Sequence, residues 1–188
     1  MDPVLARSTH VTTTTAIVDL TSTQRGEQLD FDALYRGARD DLFAYVATLL
    51  RDRAAAEDVT ALAFERAYRR RRSFHPDRGS VRAWLFGIAR NAALDELRRR
   101  KRTASMETEP VADAPGPDDE AERALRRAAL RVALASLAPR DRELIGLKFH
   151  AGLDNAEIAA VLGCSVTNAG TQLHRAVEKL RKAMTERV

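Results

Sequence analysis

From Phe31 onward, Leu34, Tyr35, Ala38, Leu42, Tyr45, Val46 and Leu49 follow one another at spacings of three and four. That period puts them on one side of an α-helix and argues against a strand, in which alternate residues share a face. The period returns through Ala56, Val59, Ala63, Phe64 and Ala67, and through Trp84, Leu85, Ile88, Ala92 and Leu97. Each run stops at a breaker: Arg51-Asp52-Arg53 after the first, and SFHPDRGS, with Pro76 and Gly79, before the third. Asp30 and Ser80 stand where N-caps are needed. Ala, Leu, Arg and Glu dominate and aromatics are few, so the chain is predicted to be all-α.

The 188 residues divide by pattern. Residues 1–28, rich in Thr and Ser and without period, are expected to be a disordered tail. Residues 29–103 form a first helical domain, 104–121 a flexible acidic linker with three prolines, and 122–188 a second helical domain. In the second, Leu125, Ala129, Val132, Leu134 and Leu137 mark a helix that stops near Ala138-Pro139. Pro139 then suits the first turn of the next helix, PRDRELIGLKFH. The net charge is only +4, yet it is segregated: Arg69–Arg72 and Arg98–Arg102 are basic blocks, while residues 103–121 hold acids alone. This pattern suggests basic patches joined by an acidic strap.

Residues 154–180, DNAEIAAVLGCSVTNAGTQLHRAVEKL, have the pattern of a helix-turn-helix. Asp154 or Asn155 caps a short helix with Ile158, Ala159 and Leu162 on one side. Gly163 reverses the chain where φ > 0 is favoured, and Ser165 caps the next helix. There Val166, Ala169, Leu173, Val177 and Leu180 make the inward stripe, leaving Thr167, Asn168, Gly170, Thr171, Gln172, Arg175 and Lys179 outside. In such motifs the start of the second helix meets base edges; Asn and Gln pair with adenine, and Thr touches a thymine methyl. A small structural corner is the plainer alternative.

Taken together, FDALYRGARDDLFAYVATLL, the string AAAEDVTALAFERAYRRRRSFHPDRGSVRAWLFGIARNAALDELRRRKR and the C-terminal helices resemble the extracytoplasmic-function sigma factors of bacterial RNA polymerase. The resemblance implies a sigma region 2 domain followed by a region 4 domain, in a protein that directs core polymerase to promoters and assists their opening. The clamp coiled coil of the polymerase is then bound through Asp58, Phe64, Arg66 and Ala67, and the flap by the second domain. The opened minus-ten element falls to Phe74, His75, Asp77, Arg78 and Ser80 in the loop and to Arg82, Trp84, Arg90, Asn91 and Arg98 on the third helix. The minus-thirty-five element falls to Ser165, Thr167, Asn168, Thr171, Gln172, Arg175 and Lys179. Aromatic faces and cations are what unpaired bases require, although Trp84 also has the spacing of a core residue. The chain departs from the family at Ala61-Leu62, where Gln-Glu or Ala-Glu is common, and at Gly170 and Gln172, where Lys and Arg are. The family also implies a cytoplasmic location and an anti-sigma partner.

Other functions fit less well. The single Cys164 excludes an internal disulfide and leaves the four histidines no thiolate cluster for a metal site; no cofactor is implied. Cys164 with His150 or His174 suggests a nucleophile and base, but it falls at the helix-turn-helix corner, where a small buried residue is the ordinary occupant. No apolar run approaches a membrane span, no secretion-signal order opens the chain, and no direct membrane insertion is expected. The alternative is a stand-alone helix-turn-helix regulator, which would bind duplex DNA without polymerase and normally as a dimer. In the family the linker threads a channel built for nucleic acid, which implies that the carboxylates of Glu107, Glu109, Asp113, Asp118, Asp119 and Glu120 act as an RNA mimic there; a simple solvated linker is the alternative. Neutralising these six is expected to lower productive initiation in a transcription assay while core binding persists; an unchanged transcript profile rejects the mimicry.

Overall fold

The computed structural model describes residues 29–103 and 121–185, and of residues 121–127 the backbone alone. The expected tail lies outside the described residues, as does the expected linker apart from Ala121, which already begins a helix. The described residues form α1 (Phe31–Leu50), α2 (Arg53–Arg69) and α3 (Val81–Thr103), then α4 (Ala121–Ser136), α5 (Pro139–Phe149), α6 (Asn155–Leu162) and α7 (Val166–Thr185). None of them is in a strand.

The helix ends follow the capping chemistry of the sequence. Asp30 accepts the Ala33 amide at 2.9 Å, and Asp52 accepts that of Ala55 at 3.1 Å. Between these helices Arg51 takes the left-handed conformation, φ 55°, so the chain turns within two residues. An Arg there costs about 1 kcal/mol, which the α1–α2 packing must offset. Asp154 and Glu157 form a reciprocal capping box at α6, and Gly163, φ 66°, closes that helix.

In the N-terminal unit, Leu42, Tyr45 and Val46 of α1 meet Ala56, Ala63 and Ala67 of α2 and Leu85, Phe86 and Ala89 of α3. The alanines let the three helices approach closely, and all nine side chains are essentially removed from water. Phe86 lies outside the stripe expected for this helix. It is buried because α3 packs against α1, α2 and α6 and so covers more than one face. Trp84, expected inward, is only half-buried.

The C-terminal unit is organised around α5, whose residues Asp141 to Leu147 are all buried. Two expectations fail on either side of it. Val132 is 47% exposed because α4 turns Ala133 inward instead, and Val166 is 51% exposed, in a first turn of α7 whose residues Val166 to Asn168 are all exposed. Ala169, Leu173 and Ala176 carry the buried face of α7.

The two units share one apolar core, α1 lying on α5 and α3 on α6. At the closest approach Tyr45 covers Gly146, and a Cβ built there would stand 2.9 Å from Tyr45 Cδ2. Burial pushes the Tyr45 phenol well above its ordinary range, helped by the negative charge of Glu143.

At the far end of α3, Glu96 accepts from Arg99 at 2.7 and 2.8 Å and from Arg100 at 2.8 Å, and Arg100 reaches back to the α2 cap Asp52 at 2.9 Å. The hydrogen bonds from Arg99 hold the Glu96 carboxyl down from 4.5 to about 2. The folded value lies below the unfolded one, so this stabilisation is complete above pH 4.5 and fades as pH falls toward 2. Denaturant midpoints measured across that acid range should therefore fall more steeply for the parent than for Glu96→Gln; parallel curves would show that Glu96 is not coupled to folding.

Candidate nucleic-acid interface

The loop between α2 and α3 is built from two short 3-10 turns, Arg71–Ser73 and Pro76–Arg78. Pro76 fixes the start of the second, and Gly79, φ 136° and ψ 177°, ends it in a conformation essentially reserved for glycine. Ser80 then accepts the Ala83 amide at 3.1 Å to begin α3. This path carries Phe74 over Trp84, their ring centroids 5.5 Å apart and inclined by 50°. Both rings line a cavity of about 460 Å³ together with His75, Arg78, Ser80, Ile88 and Asn91. Half-burial gives Trp84 one face for the protein and one for the cavity.

The remaining residues expected at the minus-ten element are not all gathered here. Asp77 is exposed on the turn, outside the cavity lining. Arg98 lies at the distal end of α3, exposed and paired with Asp95 at 3.2 Å. Arg82 and Arg90 face the C-terminal unit. The Arg82 guanidinium donates to the carbonyls of Ala151 and His150, the latter at 3.0 Å, and pairs with Asp41 at 2.5 Å. Arg90 binds Glu143 at 2.6 Å, with 19% and 7% of the two side chains exposed. Ser80 is drawn the same way, its hydroxyl donating to Glu157 of the α6 capping box. Sequence reasoning missed Glu143, Glu157 and Asp41, and no local signal marks them, since each lies tens of residues from its partner.

On α2, Asp58 is exposed and Arg66 is partly covered and paired with Asp95 at 3.5 Å. Phe64 and Ala67 are buried, so they shape this face from beneath. Phe64 stacks under Tyr35 at 4.8 Å, and a shallow groove bordered by Tyr35, Phe43 and Arg53 opens beside it.

The helix-turn-helix is formed by α6 and α7. Thr167, Asn168, Thr171 and Arg175 are exposed, and Gln172 is partly so, its amide donating to Asn168 at 2.7 Å. Ser165 is committed as the cap, accepting the Asn168 amide at 3.2 Å. Lys179 is held by Asp141 at 2.7 Å. Gly170, placed outward by the sequence pattern, faces Asn155 of α6, where a Cβ would lie 3.3 Å from Asn155 Nδ2. Its role is close helix approach. Cys164 packs against the core, and His150 stands 3.5 Å from Thr48.

Residues 34–103 match the Sigma-70 region 2 family and residues 127–180 match Sigma-70 region 4. This chain belongs to the extracytoplasmic-function family of RNA polymerase sigma factors. It is 33% identical over 157 residues to the factor SigL of Mycobacterium tuberculosis, covering 82% of this chain and 88% of SigL. Sigma factor CarQ of Myxococcus xanthus is 34% identical over 164 residues, covering 86% of this chain and 92% of CarQ. BldN of Streptomyces coelicolor is 32% identical over 167 residues; the match covers 87% of this chain but only 63% of BldN.

Among solved structures, the chain is similar to CnrH in complex with the cytosolic domain of CnrY, at TM-score 0.60 and 27% identity, over 87% of this chain and 92% of CnrH. It shares the fold of Bartonella quintana RpoE bound to the anti-sigma factor NepR, at TM-score 0.69 and 24% identity, over 85% and 99% of the two chains. Among the described residues no helix is long and apolar enough to cross a membrane, and no cluster of His, Cys, Asp and Glu is placed to hold a metal ion.

The sigma factor's loop depends on Gly79. Gly79→Ala meets no neighbouring atom within 4 Å, so its cost is purely conformational, roughly 1–3 kcal/mol. Urea unfolding should register that loss, and an unchanged midpoint would mean the loop relaxes freely.

Proposed function

We propose that this sigma factor holds an unpaired base of the minus-ten element in the Phe74–Trp84 cavity and reads the minus-thirty-five element with the first turns of α7. The paired rings carry the first assignment. Stacking on aromatic faces holds bases without requiring a duplex, at about 1–3 kcal/mol per base. His75, Arg78, Ser80 and Asn91 supply polar groups in the cavity lining. The exposed residues Arg98, Arg99, Lys101 and Arg102 give a phosphate-binding end to the same helix. On α7, Thr167, Asn168, Thr171, Gln172 and Arg175 form the reading face, and their modest charge suits a helix that shares promoter affinity with a second contact.

Core polymerase engages the α2 face around Asp58 and Arg66, with Phe64 and Ala67 beneath, and its flap receives the C-terminal unit. The protein does no covalent chemistry of its own and works in the cytoplasm. An anti-sigma partner controls it. The likeness to CnrH, solved with the cytosolic domain of CnrY, supports that partner.

Run-off transcription with purified core polymerase and a promoter library tests the assignment. Product above core alone is expected. Trp84→Ala should depress promoter opening, measured by permanganate reactivity, roughly tenfold to a hundredfold given the stacking energy lost, while leaving core binding intact. Absence of sigma-dependent product from folded protein rejects the reading.

A further inference from the structure

Glycine is among the poorest residues for a helix interior, so an interior glycine is informative where packing does not demand it. Gly146 and Gly170 answer to packing, since a Cβ would stand 2.9 Å from Tyr45 Cδ2 and 3.3 Å from Asn155 Nδ2. Gly87 does not. It lies inside α3, and a Cβ there would meet no neighbouring atom within 4 Å. Gly37 of α1 is equally unhindered, but it is exposed, whereas Gly87 is half-buried and lines the Phe74–Trp84 cavity.

A helix covers its own backbone, so the surface an interior glycine offers outward is its Cα, the point from which a side chain would project. The room that Gly87 leaves is therefore room in the cavity. Ala83 and Asn91, four residues to either side, share this face of α3 and also line the cavity. Ala83 adds one methyl, and the exposed amide of Asn91 has no side-chain hydrogen bond among the described residues. Trp84 and Ile88 form the next row, with Phe74 over Trp84. A base stacked on these rings must place its edge among the other lining residues, and Gly87 is the one on α3 that takes up no side-chain space. Every base has a face to stack, so stacking alone tolerates them all. Lateral room separates the double ring of a purine from the single ring of a pyrimidine.

We infer that Gly87 is a specificity-determining residue of the cavity: its bare Cα leaves room for a purine, and a side chain at this position narrows the choice toward pyrimidines. The inference rests on the reading of the cavity as the holder of an unpaired minus-ten base. Ala160 and Val161 of α6 complete the lining, but the face in question belongs to α3 alone, so the effect does not depend on where the C-terminal unit lies.

The test uses the sigma factor assembled with core polymerase and offered duplexes that carry a short unpaired bubble of random sequence; captured DNA is sequenced. Trp84→Ala identifies the position held by the cavity, as the one whose base choice it alters. There the ratio of purines to pyrimidines should fall stepwise from the parent to Gly87→Ala to Gly87→Leu, about tenfold in all, with other positions unchanged. Alanine and leucine are both strong helix formers, so a graded fall follows side-chain volume and not helix propensity. Gly87→Ala should also raise the urea midpoint, because nothing obstructs its methyl.

An unchanged ratio in Gly87→Leu, a parent already closed to purines at that position, or a shift spread over every position would overturn the inference and leave the minus-ten reading standing. A lowered urea midpoint for Gly87→Ala would overturn it too, since packing would then be what requires the glycine. If Trp84→Ala alters the choice at no position, the minus-ten reading itself falls and takes the inference with it.

Discussion

A charged helix can be enclosed on nearly every side only where most of its charges find partners, and α5 is enclosed in this way. Asp141 takes Lys179 of α7, Glu143 takes Arg90 of α3 and Arg140 of its own turn, and the Arg142 guanidinium donates to the Leu137 carbonyl. Burial, and then the positive charge of Arg51, lower the affinity of Arg142 for its proton. The partners come from three directions, so satisfying α5 determines where α3 and α7 must lie. The apolar residues Leu144, Ile145 and Leu147 supply the burial energy, but the ion pairs fix the register.

The same constraint explains why two small helical units share a core. The N-terminal unit of three helices is near the lower size range for independent folding, where the fraction of surface buried is small. Packing α1 on α5 and α3 on α6 adds to that fraction. At this joint Tyr45 closes on Gly146 within the shared apolar core, while arginines bind backbone carbonyls and carboxylates around it.

Local chemistry was readable in advance. Asp30, Ser80, Asp154 and Gly163 each sit at a helix end that their side chain or backbone freedom creates, and the stripes of α1 and α2 face the core as their spacing requires, except that Tyr35 of α1 is 43% exposed. What a period of three and four cannot reveal is the neighbour on each face. Phe86 was overlooked because α3 has more than one neighbour, and Val132 and Val166 were placed inward because periodicity does not register which residues of a stripe a neighbour covers. In the candidate site, Phe74, Trp84 and Asn91 come together in one cavity. Arg82 and Arg90 do not, since a sequence shows that an arginine is present but not that a carboxylate fifty residues away has claimed it.

Helix α3 has 23 residues, about 34 Å at 1.5 Å per residue. That is close to one turn of B-form duplex. The aromatic cavity lies near its start and the basic block at its finish, so a single rigid rod holds the two at a fixed interval. On the function proposed above, a nucleic acid laid along it would meet the two at different nucleotides, and the strand's phase relative to the cavity would be set by the length of a helix. In this sense α3 is a ruler, and inserting or deleting residues within it would alter spacing before it altered chemistry.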